Sequence, residues 1–350
     1  MLLAFGSNGA GQLGLGHRDD TSFPTPSTLA SVEDAGPPTI IAAGGNHTLV
    51  LFPSGALFAT GDNGNGRVGI SPSDHCLTSF TRVQFQDLDG NVVNRFKLCS
   101  ATWESSTFVT SDDIVYTCGS GSKGELGQGE GIIHSPGPRP LIGFPPAGTE
   151  IVDLAACMGH TVAVLTNGDV YGWGNGRKGQ LGCPNVIVWT PRPIYGLQFK
   201  AMKVACGREF TFMVGKPEDG LYAILGADKW GVKSAAPTTV SGWKDIGASW
   251  GSIFMLSASG TLTSWGRDDH GQRAPKGLPK LHQIAVGSEH ILALSHDGRL
   301  LAWGWGEHGN CGPGFSDAAD LKLPWNLITI SERNAIFIGA GCATSWIWAS

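Results

Sequence analysis

One pattern recurs along the whole chain and constrains its fold more than any other feature. A short apolar segment ends in a small residue. Two variable positions follow, then often a histidine, then a second apolar segment. An Asn-Gly or Asp-Gly turn comes next, then a third segment and a glycine-rich tail. The clearest copy runs from Ile151 to Gly182, with His160 opening its second segment, Asn167-Gly168 at the turn and Gly174 to Gly182 as its tail. Other copies start near Ile40, Arg95, Ala201, Trp243 and Leu281. Residues 335–348 supply only the first two segments and residues 2–16 only the last part. Six full copies and two complementary halves make seven repeats, on average 50 residues each in a chain of 350.

Repeats of about 40–50 residues built from short strands specify a β-propeller. The expected fold is therefore all-β: a single seven-bladed propeller over residues 1–350. Its ends meet in one blade shared by residues 2–16 and 335–348. That closure pairs backbone groups that an open seam would leave exposed. Residues 70–94 and 128–149, which contain Pro, Gly and Ser, read as connections between blades.

Composition agrees. Glycine is 52 of 350 residues, about twice the usual share, which excludes a helical bundle because each helix-interior glycine costs about 1 kcal/mol. A net charge of −5 disfavours a nucleic-acid footprint, which needs a basic stripe. No secretory leader and no stretch of 18 apolar residues is readable. The eight cysteines form no Cys-x-x-Cys pair, so a zinc ribbon or thioredoxin motif is not expected. They read as mostly buried free thiols in a reducing compartment.

The Gly-x-x-His turns (Gly44 to His47, Gly287 to His290) and tails such as Gly6 to Gly14 resemble the regulator of chromosome condensation repeat family. The likeness spans essentially the full length and implies the seven-bladed fold, but fold does not fix function.

Strands in a blade run antiparallel, so successive turns alternate between faces. The first turn and the tail of each repeat fall on one face, and the Asn-Gly or Asp-Gly hairpins on the other. Variable positions on the first face include Asn46, Trp103, Glu104, Arg208, Glu209, Trp250 and Glu289; the tails add Trp305, Glu307 and His308. With His290 these are the candidate partner-binding residues. The opposite face carries Ser54, Asp112, Asp113, Asn167, Asp219, Ser259 and Asp297, ordinary turn formers. Trp103, Trp250 and Trp305 read either as interface anchors or as wedges between blades. Trp173, Trp265 and Trp303, in the third segments, read as core.

His47, His160 and His290 share one repeat position and are expected to hydrogen-bond a neighbouring turn carbonyl. A metal ring is not expected, because Ser105, Phe210, Ser252 and Thr344 hold the equivalent places. No serine-nucleophile elbow, Walker loop or His-Glu-x-x-His is present. Catalytic, cofactor-binding and metal-binding residues are therefore expected to be none. A channel-mouth enzyme using Glu104, Glu209 or Glu289 with His290 is the minor alternative.

The last repeat, Trp303-Gly-Trp305-Gly-Glu-His308 to Pro313 followed by Gly339 to Trp346, is similar to the alpha-tubulin suppressor (killer-toxin-insensitivity) branch of the family. That resemblance implies a non-enzymatic heterodimer with the small CSL-type zinc/iron protein of diphthamide biosynthesis. Through that partner it implies support of Elongator-dependent wobble-uridine modification of tRNA and of diphthamide synthesis on elongation factor 2. The implied location is cytoplasmic and nuclear, with no direct nucleic-acid or membrane contact. The alternative is guanine-nucleotide exchange on a Ran-type GTPase. Residues 201–274 fit the repeat least well, since Gly226-Ala-Asp-Lys-Trp230-Gly replaces the usual tail.

Overall fold

The computed structural model describes residues 1–29, 36–71, 74–314, 324–330 and 333–350. Seven antiparallel blades surround a central channel, and each blade starts with its innermost strand. The first blade is Ile40–Ala43, His47–Leu51, Leu57–Asp62 and Cys76–Arg82. The second is Phe96–Ala101, Ser105–Thr110, Val115–Ser120 and His134–Pro140; the third is Ile151–Cys157, His160–Leu165, Val170–Asn175 and Ile187–Pro193. The fourth and fifth have three strands each: Lys203–Cys206, Phe210–Val214 and Tyr222–Gly226, then Trp243–Ala248, Ser252–Ser257 and Leu262–Gly266. The sixth is Leu281–Val286, His290–Ser295, Leu300–Gly304 and Asn326–Ile328.

The seventh blade is composite. Its inner strands, Ala335–Ala340 and Thr344–Ala349, come from the chain's end, and Leu2–Gly6 pairs beside them with Leu2 opposite Trp348 and Gly6 opposite Thr344. The shared blade is thus as expected, with one extension: Thr21–Pro26 adds its outer strand. Two further expectations need correction. Residues 70–94 and 128–149 are not mere connections, because they contain the outer strands Cys76–Arg82 and His134–Pro140. These strands were hard to read because each lies half-exposed at a blade edge and carries little apolar signal. A small hairpin, Phe85–Gln86 with Val92–Val93, also lies within the first of those segments.

The core is divided among the joints between blades. Leu49, Leu57 and Phe108 fill the joint between blades one and two. Phe212, Trp243 and Ile253 fill that between four and five, and Leu13, Val50 and Trp346 that between seven and one. A second strand has a neighbouring blade on both faces. His47–Leu51, Ser105–Thr110 and His160–Leu165 are accordingly buried at every position, which explains their unbroken apolar runs.

Trp173, Trp265 and Trp303 are buried as expected. Each indole nitrogen donates to a carbonyl in the preceding blade's tail: Glu125 at 3.1 Å, Val232 at 2.9 Å and Gln272 at 3.1 Å. A buried indole N–H needs such an acceptor, and here that need links consecutive blades. The glycine at or next to the end of the third strand has a steric reason. At Gly174, with φ of +104°, an added Cβ would lie 2.4 Å from the Gly159 carbonyl oxygen.

Candidate binding face at the channel mouth

The inner strands converge on a channel lined by small residues, among them Ala42, Ala101, Ala155, Ala205 and Ala340, and enclosing about 350 Å³. At one mouth the first turns of neighbouring blades are tied together by backbone hydrogen bonds. Gly45 N–H donates to Trp103 O at 3.0 Å, and Trp103 N–H to Met158 O at 2.8 Å. Farther round, Arg208 N–H donates to Trp250 O at 3.1 Å, Trp250 N–H to Ser288 O at 2.9 Å and Ser288 N–H to Gly341 O at 2.9 Å. The turns therefore form a rigid rim for side chains that project from it.

Trp103 and Trp250 stand on blades two and five, across the ring from each other. Their ring centroids are 5.9 Å apart and inclined at 49°. Trp103 keeps 37% of its surface exposed and Trp250 is half-buried. Together they cap the channel, and the Trp103 indole also lies against the first turn of blade one, where a Cβ on Gly45 would come within 2.7 Å of it. Arg208 lies 5.8 Å from the Trp250 ring centroid, within the range of a cation–π contact.

Two clefts flank the pair. One, of about 340 Å³, lies among Glu104, Lys123, Glu125, Asn175 and Glu209. Burial raises the Glu125 carboxyl above its ordinary range. The other, of about 300 Å³, lies among Arg208, Lys229, Trp230, Trp250 and Arg267. First-turn and tail residues line both clefts, which agrees with the expected convergence of these loops on one face.

The remaining candidates separate. Asn46, Glu104 and Arg208 are exposed and Glu209 is half-buried. Glu307 and His308 are exposed, and His308 Nδ1 lies 3.2 Å from Asp20 Oδ2. Trp305 is half-buried, with one ring face stacked on His270 at 4.6 Å and 10°, so it joins two blade tails. Glu289 and His290 are corrections: both are buried and unavailable as surface contacts. Glu289 Oε1 takes Arg267 Nη1 at 2.5 Å, and its Oε2 accepts from Gln272 Nε2 at 2.8 Å. Burial raises the Glu289 carboxyl, while the hydrogen bond from Gln272 and the Arg267 charge oppose that rise.

The histidines are structural, but their partner is a hydroxyl on the next blade and not a turn carbonyl. His47 Nε2 meets Ser106 Oγ at 2.9 Å, His160 Nε2 meets Thr211 Oγ1 at 3.1 Å, and His290 Nε2 meets Ser345 Oγ at 2.8 Å. Ser345 donates to Asn310 O and Thr211 to Gln180 O. A hydroxyl has one hydrogen, so Thr211 and Ser345 accept from the imidazole and fix the proton of His160 and His290 on Nε2. The ring also explains the glycine three residues earlier: a Cβ on Gly44 would lie 2.2 Å from His47 Cε1. Among the described residues no three His, Cys, Asp or Glu side chains group to hold a metal ion.

A family model described as an RCC1-like domain matches residues 1–347. The chain belongs to the RCC1-like family. An RCC1 repeat-containing protein of Schizosaccharomyces pombe is 33% identical over 99% of this chain and 98% of its own length. A bovine secretion-regulating guanine nucleotide exchange factor is 27% identical over 77% of this chain, which spans 60% of that relative. Among solved structures, Saccharomyces cerevisiae Prp20p, described together with its binding to Gsp1p and histones, superposes with a TM-score of 0.81 at 22% identity, covering 99% of this chain and 91% of Prp20p. Human WBSCR16 gives 0.80 at 19% identity, covering 100% and 99%. At these identities the structural likeness concerns the fold.

Within this RCC1-like face, Lys229, Trp230, Arg267 and Glu125 escaped the reading of the sequence. Trp230 carried a usable signal, a bulky aromatic in a tail of small and polar residues. Arg267 carried none, since its buried partner Glu289 lies 22 residues along the chain and meets it only in three dimensions.

Proposed function

We propose that this RCC1-like propeller is a non-enzymatic binding and regulatory partner of a small CSL-type zinc/iron protein of diphthamide biosynthesis. In this reading it supports Elongator-dependent tRNA wobble-uridine modification and diphthamide synthesis, in the cytoplasm and nucleus. The partner docks on the first-turn face. The observation that carries the docking reading is the partly exposed Trp103–Trp250 pair at the centre of that face, rimmed by Glu104, Arg208 and Glu209. An aromatic centre with a charged rim is the composition of an interface hot spot. The identity of the partner is supported by the resemblance of the last repeat to the alpha-tubulin suppressor branch.

The deciding experiment is titration of the purified chain with a purified CSL-type protein, with a Ran-type GTPase loaded with fluorescent GDP run in parallel. A saturable one-to-one complex with the first, and no acceleration of nucleotide release from the second, supports the proposal. Accelerated release without CSL binding favours the alternative exchange-factor reading, which the name of the bovine relative supports.

A further inference from the structure

The tail residue that precedes the conserved-spacing glycine is Ala10, Asn65, Lys123, Lys178, His270 or His308 in six blades and Trp230 in the fourth. Trp230 has φ of +67° and remains 46% exposed. A bulky aromatic in the left-handed region is an outlier that needs surrounding structure to hold it. Burial does not explain this one, because nearly half of the side chain faces solvent.

Its surroundings hold the indole in place. Gly251 makes room for it, since a Cβ there would lie 3.1 Å from Trp230 Cδ1. The Arg267 guanidinium lies 5.1 Å from the ring centroid and the Lys229 ammonium 5.3 Å. Arg267 is clamped by Asp269 at 2.6 and 2.8 Å and by buried Glu289 at 2.5 Å. Its charge is therefore answered and its position fixed. Arg208 and Lys229, on the same cleft, have no carboxylate within ion-pair distance among the described residues. With Arg267 answered by Asp269 and Glu289, the charges left on the cleft lining are the cations Arg208 and Lys229 against the carboxylate Glu209. This is a locally positive, aromatic cleft on a chain of net charge −5.

We propose that Trp230 anchors an off-axis docking cleft that takes an acidic segment of a partner protein: an apolar side chain of the segment packs on the exposed indole, and its carboxylates pair with Lys229 and Arg208. The inference rests on the docking face proposed above and names the chemistry of one contact on it. Charge complementarity selects the occupant. A fixed aromatic beside cations that have no carboxylate partner gives an apolar anchor and a charged rim, and Arg267, already paired, serves as support.

The test uses fluorescence anisotropy with the full chain and three labelled probes: a twelve-residue peptide of Asp, Glu, Leu and Phe, its counterpart with Lys for Asp and Glu, and a twelve-nucleotide uridylate. The acidic peptide should bind, weaken as salt rises, and lose at least tenfold in affinity with Trp230→Ala and with Lys229→Glu. Trp230→Gly, which relieves the backbone, should melt no lower than the parent and still bind at least tenfold more weakly. Equal binding of the lysine peptide, tighter binding of the uridylate, or unchanged affinity in the Trp230 variants overturns the proposal. The CSL-type protein separates the two readings. If Trp103→Ala weakens its binding while Trp230→Ala does not, the docking face stands and the Trp230 cleft falls. If neither does, the docking face itself is wrong.

Discussion

The indole rings of Trp103 and Trp250 meet across the channel mouth with centroids 5.9 Å apart, although they stand 147 positions apart in the chain. Each belongs to a different blade, so their contact reports the curvature of the whole ring. Because both keep surface exposed, truncating them should affect binding more than folding. Trp103→Ala and Trp250→Ala should each leave the melting temperature within a few degrees and weaken CSL-protein binding by about 2–4 kcal/mol, roughly 30- to 1,000-fold. A double change on the opposite face, Asp112→Ala with Asp297→Ala, should leave binding unaltered. Calorimetric titration beside thermal melts reads both effects. A control that weakens binding while the tryptophan variants do not would show that the faces are reversed.

Closure of the ring depends on the composite blade. Met1 N donates to Ala349 O at 2.7 Å, and Ala349 N–H donates to Met1 O at 2.9 Å. Deleting residues 336–350 removes nearly all of the two inner strands of that blade, and Leu2–Gly6 loses its partner strand. The truncated chain should be insoluble or melt far below the parent. An unchanged melting temperature would contradict the shared-blade closure.

Acid should destabilise the protein through its buried histidines. Burial of the ring lowers His47 to about 3 and His160 and His290 to about 4, whereas an unfolded imidazole titrates near 6.5. As pH falls below 6.5 the unfolded chain takes up protons that the folded one refuses, and stability drops. The stabilising contribution is complete above about 6.5 and is lost as pH descends toward the folded values, on the order of 1.4 kcal/mol for each pH unit and histidine. His290→Phe uses the residue that Phe210 already places at this position. It should flatten the acid limb of a denaturation series between pH 6.5 and 4, while Ser345 keeps its bond to Asn310. An unaltered limb would move the acid sensitivity elsewhere.

Gly44 tests the packing of the first turn. Its added Cβ would meet His47 Cε1 at 2.2 Å and Thr102 O at 2.4 Å, and the second of these is backbone of the next blade. Gly44→Ala should cost roughly 1–3 kcal/mol, by analogy with overpacked cores, read as a lower urea midpoint. Combining it with His47→Ala should recover only part of the loss, since the Thr102 clash remains. Full recovery would assign the whole effect to the imidazole.

Repeats were legible because each copy obeys the same local rules. A buried strand needs an apolar run, a hairpin favours Asp, Asn, Ser or Gly at its turn, and the close approaches need glycine. The buried Trp173, Trp265 and Trp303 were legible from their shared repeat position for the same reason. Edge strands such as His134–Pro140 were not, because half-exposed strands rich in proline lack that pattern. The histidine partners Ser106, Thr211 and Ser345 lie 59, 51 and 55 residues along the chain. Each stands one place after the histidine position of the following repeat, a regularity that aligning the repeats against each other would expose.

By itself the sequence determined the number of blades, their internal order and the joining of the two ends, since these follow from short-range periodicity repeated seven times. Only the tertiary structure decided which residues of the first-turn face are free to bind. Glu289 and Glu209 hold the same place in their repeats, yet Glu289 is buried against Arg267 while Glu209 lies half-exposed at the clefts. Trp103 and Trp250 face each other, whereas Trp305 stacks on His270. Those outcomes depend on what the adjacent or opposite blade presents at each place. Repeat position specifies where a residue begins; the neighbouring blade determines whether its side chain is covered.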